Sequence, residues 1–127
     1  MFATVGRVVE SYISRGDPAV EAADFTQATL TTDGTWRDLD LSAIVPAGVK
    51  LVELFVNCTD DVIGRVLKFR KKGSVSEYAI SLIRTQVINL TNDANMQVEC
   101  NTLRQIQYNA TNAVWTAIGI FVLGYWK

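Results

Sequence analysis

The chain has 127 residues, of which 49% are hydrophobic and 20% charged, so it is long enough to bury a core without disulfide or metal staples. Twelve Lys and Arg against 13 Asp and Glu leave a formal net charge of -1, which gives no electrostatic reason to expect nucleic acid or a membrane as a partner. Histidine is absent. That removes Ser-His-Asp and Cys-His catalysis, His-based zinc sites and the His-rich metal centre of cupin-type jelly rolls, and leaves only carboxylates to run an enzyme.

At the amino terminus, residues 1–7 lack a basic segment followed by an apolar core, so no cleavable signal is expected. Val5, Val8, Val9, Tyr12 and Ile13 favour a strand or extended arm. Asp17 followed by Pro18 has the form of a helix N-cap and first turn, so a short helix is expected there. Strand signals then become regular. Residues 25–30 alternate, Asp33-Gly34 marks a hairpin turn, and residues 36–41 alternate again. Pro46-Ala47-Gly48 precedes a run in which Val52, Leu54, Val56 and Cys58 share one face, which reads as a central strand.

After Asp60-Asp61, residues 65–71 place Leu67 and Phe69 together. Residues 78–82, 85–90 and 96–100 read as further strands, with a polar turn expected at 91–95. Ile106 and Tyr108 face inward, with the glutamines of residues 104–108 facing out. The closing run, 114–126, has no charge and is apolar on both period-two faces. It is shorter than the about 20 apolar residues of a spanning helix, and its glycines and β-branched residues favour a strand covered on both sides. The fold class is therefore all-β, an antiparallel β-sandwich or jelly roll with at most one short helix near the amino terminus. Residues 1–33 form an arm, and 34–127 form the sandwich.

Candidate functional residues are sparse. Cys58 and Cys100 lack metal-ligand spacing and read as buried thiols, although one disulfide is open to them. Arg65, Lys68, Arg70, Lys71 and Lys72 form the one basic cluster, suited to a solvated strand edge or to contact with an acidic neighbouring subunit. Asp60-Asp61 and Asn92-Asp93-Ala94-Asn95 offer loop oxygens, but match no full calcium-loop spacing. Asp38 and Asp40 alternate with Leu39 and Leu41 as a strand's wet face. No catalytic residue, cofactor or metal is expected. Trp115, Phe121, Leu123, Tyr125 and Trp126 are the expected self-association surface, while Trp36 with Trp115 offers an alternative sugar-stacking role.

The stretch Gly34-Thr35-Trp36-Arg37-Asp38-Leu39-Asp40-Leu41, then Val45-Pro46-Ala47-Gly48-Val49-Lys50 and Leu51-Val52-Glu53-Leu54-Phe55-Val56, and finally Ile106-Gln107-Tyr108 before the closing strand, resembles small β-sandwich domains of bacteriophage virions. These are capsid decoration proteins and head- or tail-fibre knobs, and the likeness covers roughly residues 34 to 126. It implies a noncatalytic virion-surface protein. It also implies a homotrimer partnered by the major capsid or other virion proteins, with a host-surface glycan as a further partner. A carbohydrate-binding β-sandwich module is the alternative reading of the same chain.

Overall fold

The structure, a computed structural model, describes residues 11–16 and 23–127. Nine strands run in the order β1 (Tyr12–Ser14), β2 (Phe25–Thr26), β3 (Arg37–Asp40), β4 (Leu51–Thr59), β5 (Val66–Lys71), β6 (Ser81–Arg84), β7 (Asn92–Glu99), β8 (Gln105–Ala110) and β9 (Ala117–Trp126). No helix occurs among the described residues, and the short helix expected at Asp17 lies outside them.

Two antiparallel sheets face each other. Sheet A has the order β1-β9-β4-β7, with β2 also on β9, and sheet B has the order β3-β8-β5-β6. Taking β2 as the edge strand of sheet A, this β2-β9-β4-β7 over β3-β8-β5-β6 arrangement is that of a jelly roll. Among successive strands from β2 onward, only β5 and β6 pair directly. Asp33-Gly34, read from sequence as a hairpin turn, instead lies in a crossover from sheet A to sheet B, with Gly34 at φ 76°.

Alternation builds the core. Val52, Leu54, Val56 and Cys58 of β4 meet Leu67 and Phe69 of β5, Met96 and Val98 of β7, Ile106, Tyr108 and Ala110 of β8, and Ile118, Ile120 and Val122 of β9, all buried. β4 is a central strand, paired with β7 on one side and β9 on the other. The closing run is β9, and no helix long and apolar enough to cross a membrane is present among the described residues.

Segments before residue 34 join the sandwich: β1 and β2 pair with β9, and Leu30 enters the core. They leave a gap in the edge opposite Val122, which side chains fill. The Asp24 carboxylate accepts the Val122 N–H at 2.8 Å, and the Arg15 guanidinium donates to the Val122 carbonyl at 3.1 Å. Arg15 and Asp24 are themselves paired at 2.6 Å. This ion pair stands in for a strand residue and satisfies an edge that would otherwise be open to another chain.

Several expectations about strand position fail: β2 covers only Phe25–Thr26 of the segment 25–30, and residues 78–80 stay outside β6, which begins at Ser81. Residues 85–90 form a loop instead of a strand, and 92–95, expected as a turn, open β7. Asp93 and Asn95 sit on the solvent face of an edge strand, where polar side chains cost nothing, whereas the apolar Val87 and Ile88 have no sheet to cover them. Truncating the most central aromatic, Phe69→Ala, is expected to cost about 3–5 kcal/mol in urea unfolding. A loss below about 1 kcal/mol would place Phe69 outside the core.

Candidate functional site

A β-bulge sets which residues of the closing strand can meet a partner. The register with β4 shifts between Glu53, opposite Gly124, and Leu54, opposite Val122, so Leu123 is the extra residue. Before the bulge, Ile118, Ile120 and Val122 point into the core and Phe121 points out; after it the phase inverts. Tyr125 falls opposite the buried Val52 and packs against the core, while Trp126 falls opposite Leu51 on the outer face.

The five residues expected to form an oligomer surface are therefore divided. Phe121 and Trp126 share the outer face of sheet A, and Leu123 is half-buried at the bulge. Tyr125 turns inward. Trp115 is a core residue, 4% exposed, whose indole N–H donates to the Thr111 carbonyl at 3.1 Å. It precedes β9 and contributes neither to an interface nor to sugar stacking.

Sequence reasoning missed the other half of this face. Phe55 of β4 stands opposite Phe121, with ring centroids 5.8 Å apart and planes tilted by 53°. Tyr12 of β1 stands opposite Trp126, with centroids 4.8 Å apart and a tilt of 59°. Both are favourable aromatic geometries. A Cβ at Gly124 would collide with the Tyr12 ring, so glycine is what lets that ring lie across the strand. With Leu51, these four aromatics form an apolar band, interrupted by the half-buried Glu53, which stands opposite Gly124 between the Leu51 and Phe55 rows. The band is rimmed on the β7 side by Asp93, Asn95, Gln97 and Glu99, all exposed. The alternation of Leu51, Glu53 and Phe55 against Val52, Leu54 and Val56 was the available signal.

The basic cluster is divided: Lys68, Arg70 and Lys72 share the outer face of sheet B, while Arg65 and Lys71 pair elsewhere. Arg65 pairs with Asp60 at 2.7 Å, Arg70 with Glu77 at 3.1 Å and Lys71 with Glu99 at 3.2 Å, and Lys72 pairs with Asp38. Lys68 lies 3.9 Å from Glu77. Each cation already has a carboxylate, and the set is spread over loops and strands.

Asp60, read from sequence as a loop residue, is fully buried. It accepts from Arg65 Nε at 2.7 Å and from the Thr116 N–H at 3.3 Å, while its carbonyl accepts the Asn89 N–H at 2.8 Å. Thr85, also buried, donates its hydroxyl to the Val62 carbonyl at 2.9 Å and accepts the Arg65 N–H at 2.9 Å. Three loops at one end are thereby tied together. Burial by itself would raise the Asp60 pKa, but the bonds from Arg65 and the backbone outweigh it and hold the carboxyl below the usual range. Among the described residues, no group of three or more His, Cys, Asp or Glu could hold a metal ion.

Cys58 and Cys100 are both buried and free. Cys58 lies opposite Asn92, and Cys100 follows Glu99 at the far end of β7, so about 25 Å of strand separates them, well beyond the about 7 Å Cα reach of a disulfide. Burial pushes the Cys58 thiol up to about 11 and also raises Cys100.

No protein-family model matches the chain, and no curated protein matches it as a relative.

Two outcomes follow from these buried groups. The stabilisation carried by the Asp60 carboxylate is complete above the unfolded aspartate pKa near ~4 and is lost as pH falls through the lower folded value. Asp60→Asn is expected to cost about 1–3 kcal/mol at neutral pH and to flatten the acid limb of a urea-midpoint profile; an unchanged acid limb would show that Asp60 does not carry it. The thiols should be nearly inert to a disulfide reagent at pH 8 in the native protein and both titrate in urea, and rapid native labelling would contradict their burial.

Proposed function

We propose that the chain is a noncatalytic assembly module that self-associates through the outer face of sheet A. As a closed cyclic oligomer, a trimer by the virion resemblance, it would serve as a decoration or attachment subunit on a larger particle such as a phage virion. The observation that carries this reading is the apolar band of Leu51, Phe55, Phe121, Trp126 and Tyr12, left partly exposed beside a polar flank. An apolar centre with a polar rim is the anatomy of a subunit interface, and soluble monomers rarely leave such a patch open.

Size supports the same conclusion. β4 and β9 are nine and ten residues long. A face about 30 Å long and four strands, about 19 Å, wide offers roughly 600 Å² per copy before side-chain relief. Two such faces packed on each other in a two-fold pair remove about 1,200 Å², the lower end of specific interfaces, whereas a trimer would divide each face between two neighbours.

The noncatalytic part rests on the side-chain inventory. Histidine is absent, and two of the three strand carboxylates Asp38, Asp40 and Glu53 are occupied: Asp38 accepts from Lys72 and Gln107, and Asp40 accepts the Ser42 N–H. Fold alone supports no choice of activity, since jelly rolls host capsid subunits, lectins and enzymes alike. Attachment to a particle rests on the resemblance and is tested by whether the chain co-purifies with assembled particles.

Self-association is tested by light scattering on eluting protein at micromolar concentration. Wild type is expected as a discrete oligomer, and the pair Phe55→Glu and Phe121→Glu as a folded monomer. A monomeric wild type would sink the assembly reading.

A further inference from the structure

The outer face of sheet B is built differently. One step beyond the Arg37–Tyr108 pair, Trp36 stands level with Asn109, which in turn pairs with Lys68. The next outward row is Asp38, Gln107 and Arg70. The Arg70 guanidinium carbon lies 3.9 Å from the Trp36 ring centroid, and the Lys68 ammonium lies 5.5 Å from it. To reach Arg70 of β5 from the start of β3, the indole must lie across β8, which runs between them.

Arg70 projects from an outer sheet face, yet its side chain is only 11% exposed. Its Nε donates to Gln107 Oε1 at 3.0 Å, and its Nη1 donates to Glu77 at 3.1 Å and to the Ser76 carbonyl at 3.4 Å. Fixed in this way, it is roofed by the indole. The ring is used on these cations, and Trp36 remains half-buried, with part of the indole reachable from solvent.

Around this ring are planar polar groups with bonding capacity to spare. The Asn109 amide makes no hydrogen bond to any described residue. Gln107 reaches Asp38 at 3.1 Å, and Glu77 is more than half exposed. Lys68 and Arg70 share Glu77, and Lys72 is held by Asp38, so each of these cations already contacts a carboxylate and none is left bare to select an anion. A rigid flat aromatic surface bordered by amides and carboxylates is the chemistry that holds a pyranose. The C–H face of the sugar covers the ring, and its hydroxyls bond to the planar groups beside it.

We propose that the outer face of sheet B is a saccharide-binding surface centred on Trp36, and that it takes a neutral pyranose glycan. It lies on the opposite sheet from the assembly face and does not depend on the oligomer.

The test is native affinity electrophoresis through gels containing laminarin, xylan or galactomannan, together with a neutral-glycan array. Wild type is expected to be retarded by at least one of these glycans. Trp36→Ala should weaken that binding at least tenfold, Trp36→Tyr should retain most of it, and Asn109→Ala should weaken it severalfold. Trp126→Ala, on the other sheet, should bind as wild type does. No retardation and no array signal would overturn the proposal, as would Trp36→Ala binding like wild type, or an equal loss in Trp126→Ala.

Discussion

Everything else in this molecule depends on the ladder between β4 and β9. It joins the two longest strands, apolar throughout on the core side and carrying Leu51, Phe55, Phe121 and Trp126 on the other. One side, with Val52, Leu54, Val56, Ile118, Ile120 and Val122, closes on sheet B and expels water from the interior. On the other side, Phe55 and Phe121 pack on each other and stay half-buried. A sheet buried on one face by its own fold and carrying an aromatic band on the other has stability still to gain from association, and that asymmetry links the fold to the proposed assembly.

Around this ladder, side chains complete what the short strands leave undone. Arg15 and Asp24 occupy the break between β1 and β2 and bond both polar groups of the Val122 peptide. At the end of the sandwich, Asp60, Arg65 and Thr85 satisfy the backbone of three loops. Arg104, in the left-handed region at φ 63°, donates to the Ser42 and Val45 carbonyls and ties a further crossover to the start of β8. Polar residues that look like turn formers in sequence thus act as structural bridges. The two outer faces divide by chemistry: sheet A outward carries an aromatic band with a polar rim, and sheet B outward is polar and internally bonded. A chain that assembles by one and binds by the other could do both at once.

Much of this was legible in the residues. The alternations in β3, β4, β5 and β8 were visible as period-two patterns, because each of those strands has one face in the core and the sheet pleat leaves no other arrangement. The alternation failed at the edges. Asn92 to Asn95 look like a turn, and Val87 and Ile88 look like a strand, because local preference carries no information about which segment finds a neighbour to pair with.

By itself, then, the sequence determined the all-β class, the central place of β4, the two-sided apolar character of β9 and the lack of histidine chemistry. Those follow from composition and from alternation along single strands. Only the tertiary structure decided the jelly-roll order, since crossovers between sheets leave no local mark. It alone also decided that one bulge at Leu123 exchanges Tyr125 and Trp126 between core and surface. A single unpaired residue inverts the phase of all that follows it, and its position depends on the partner strand, which the closing run does not encode.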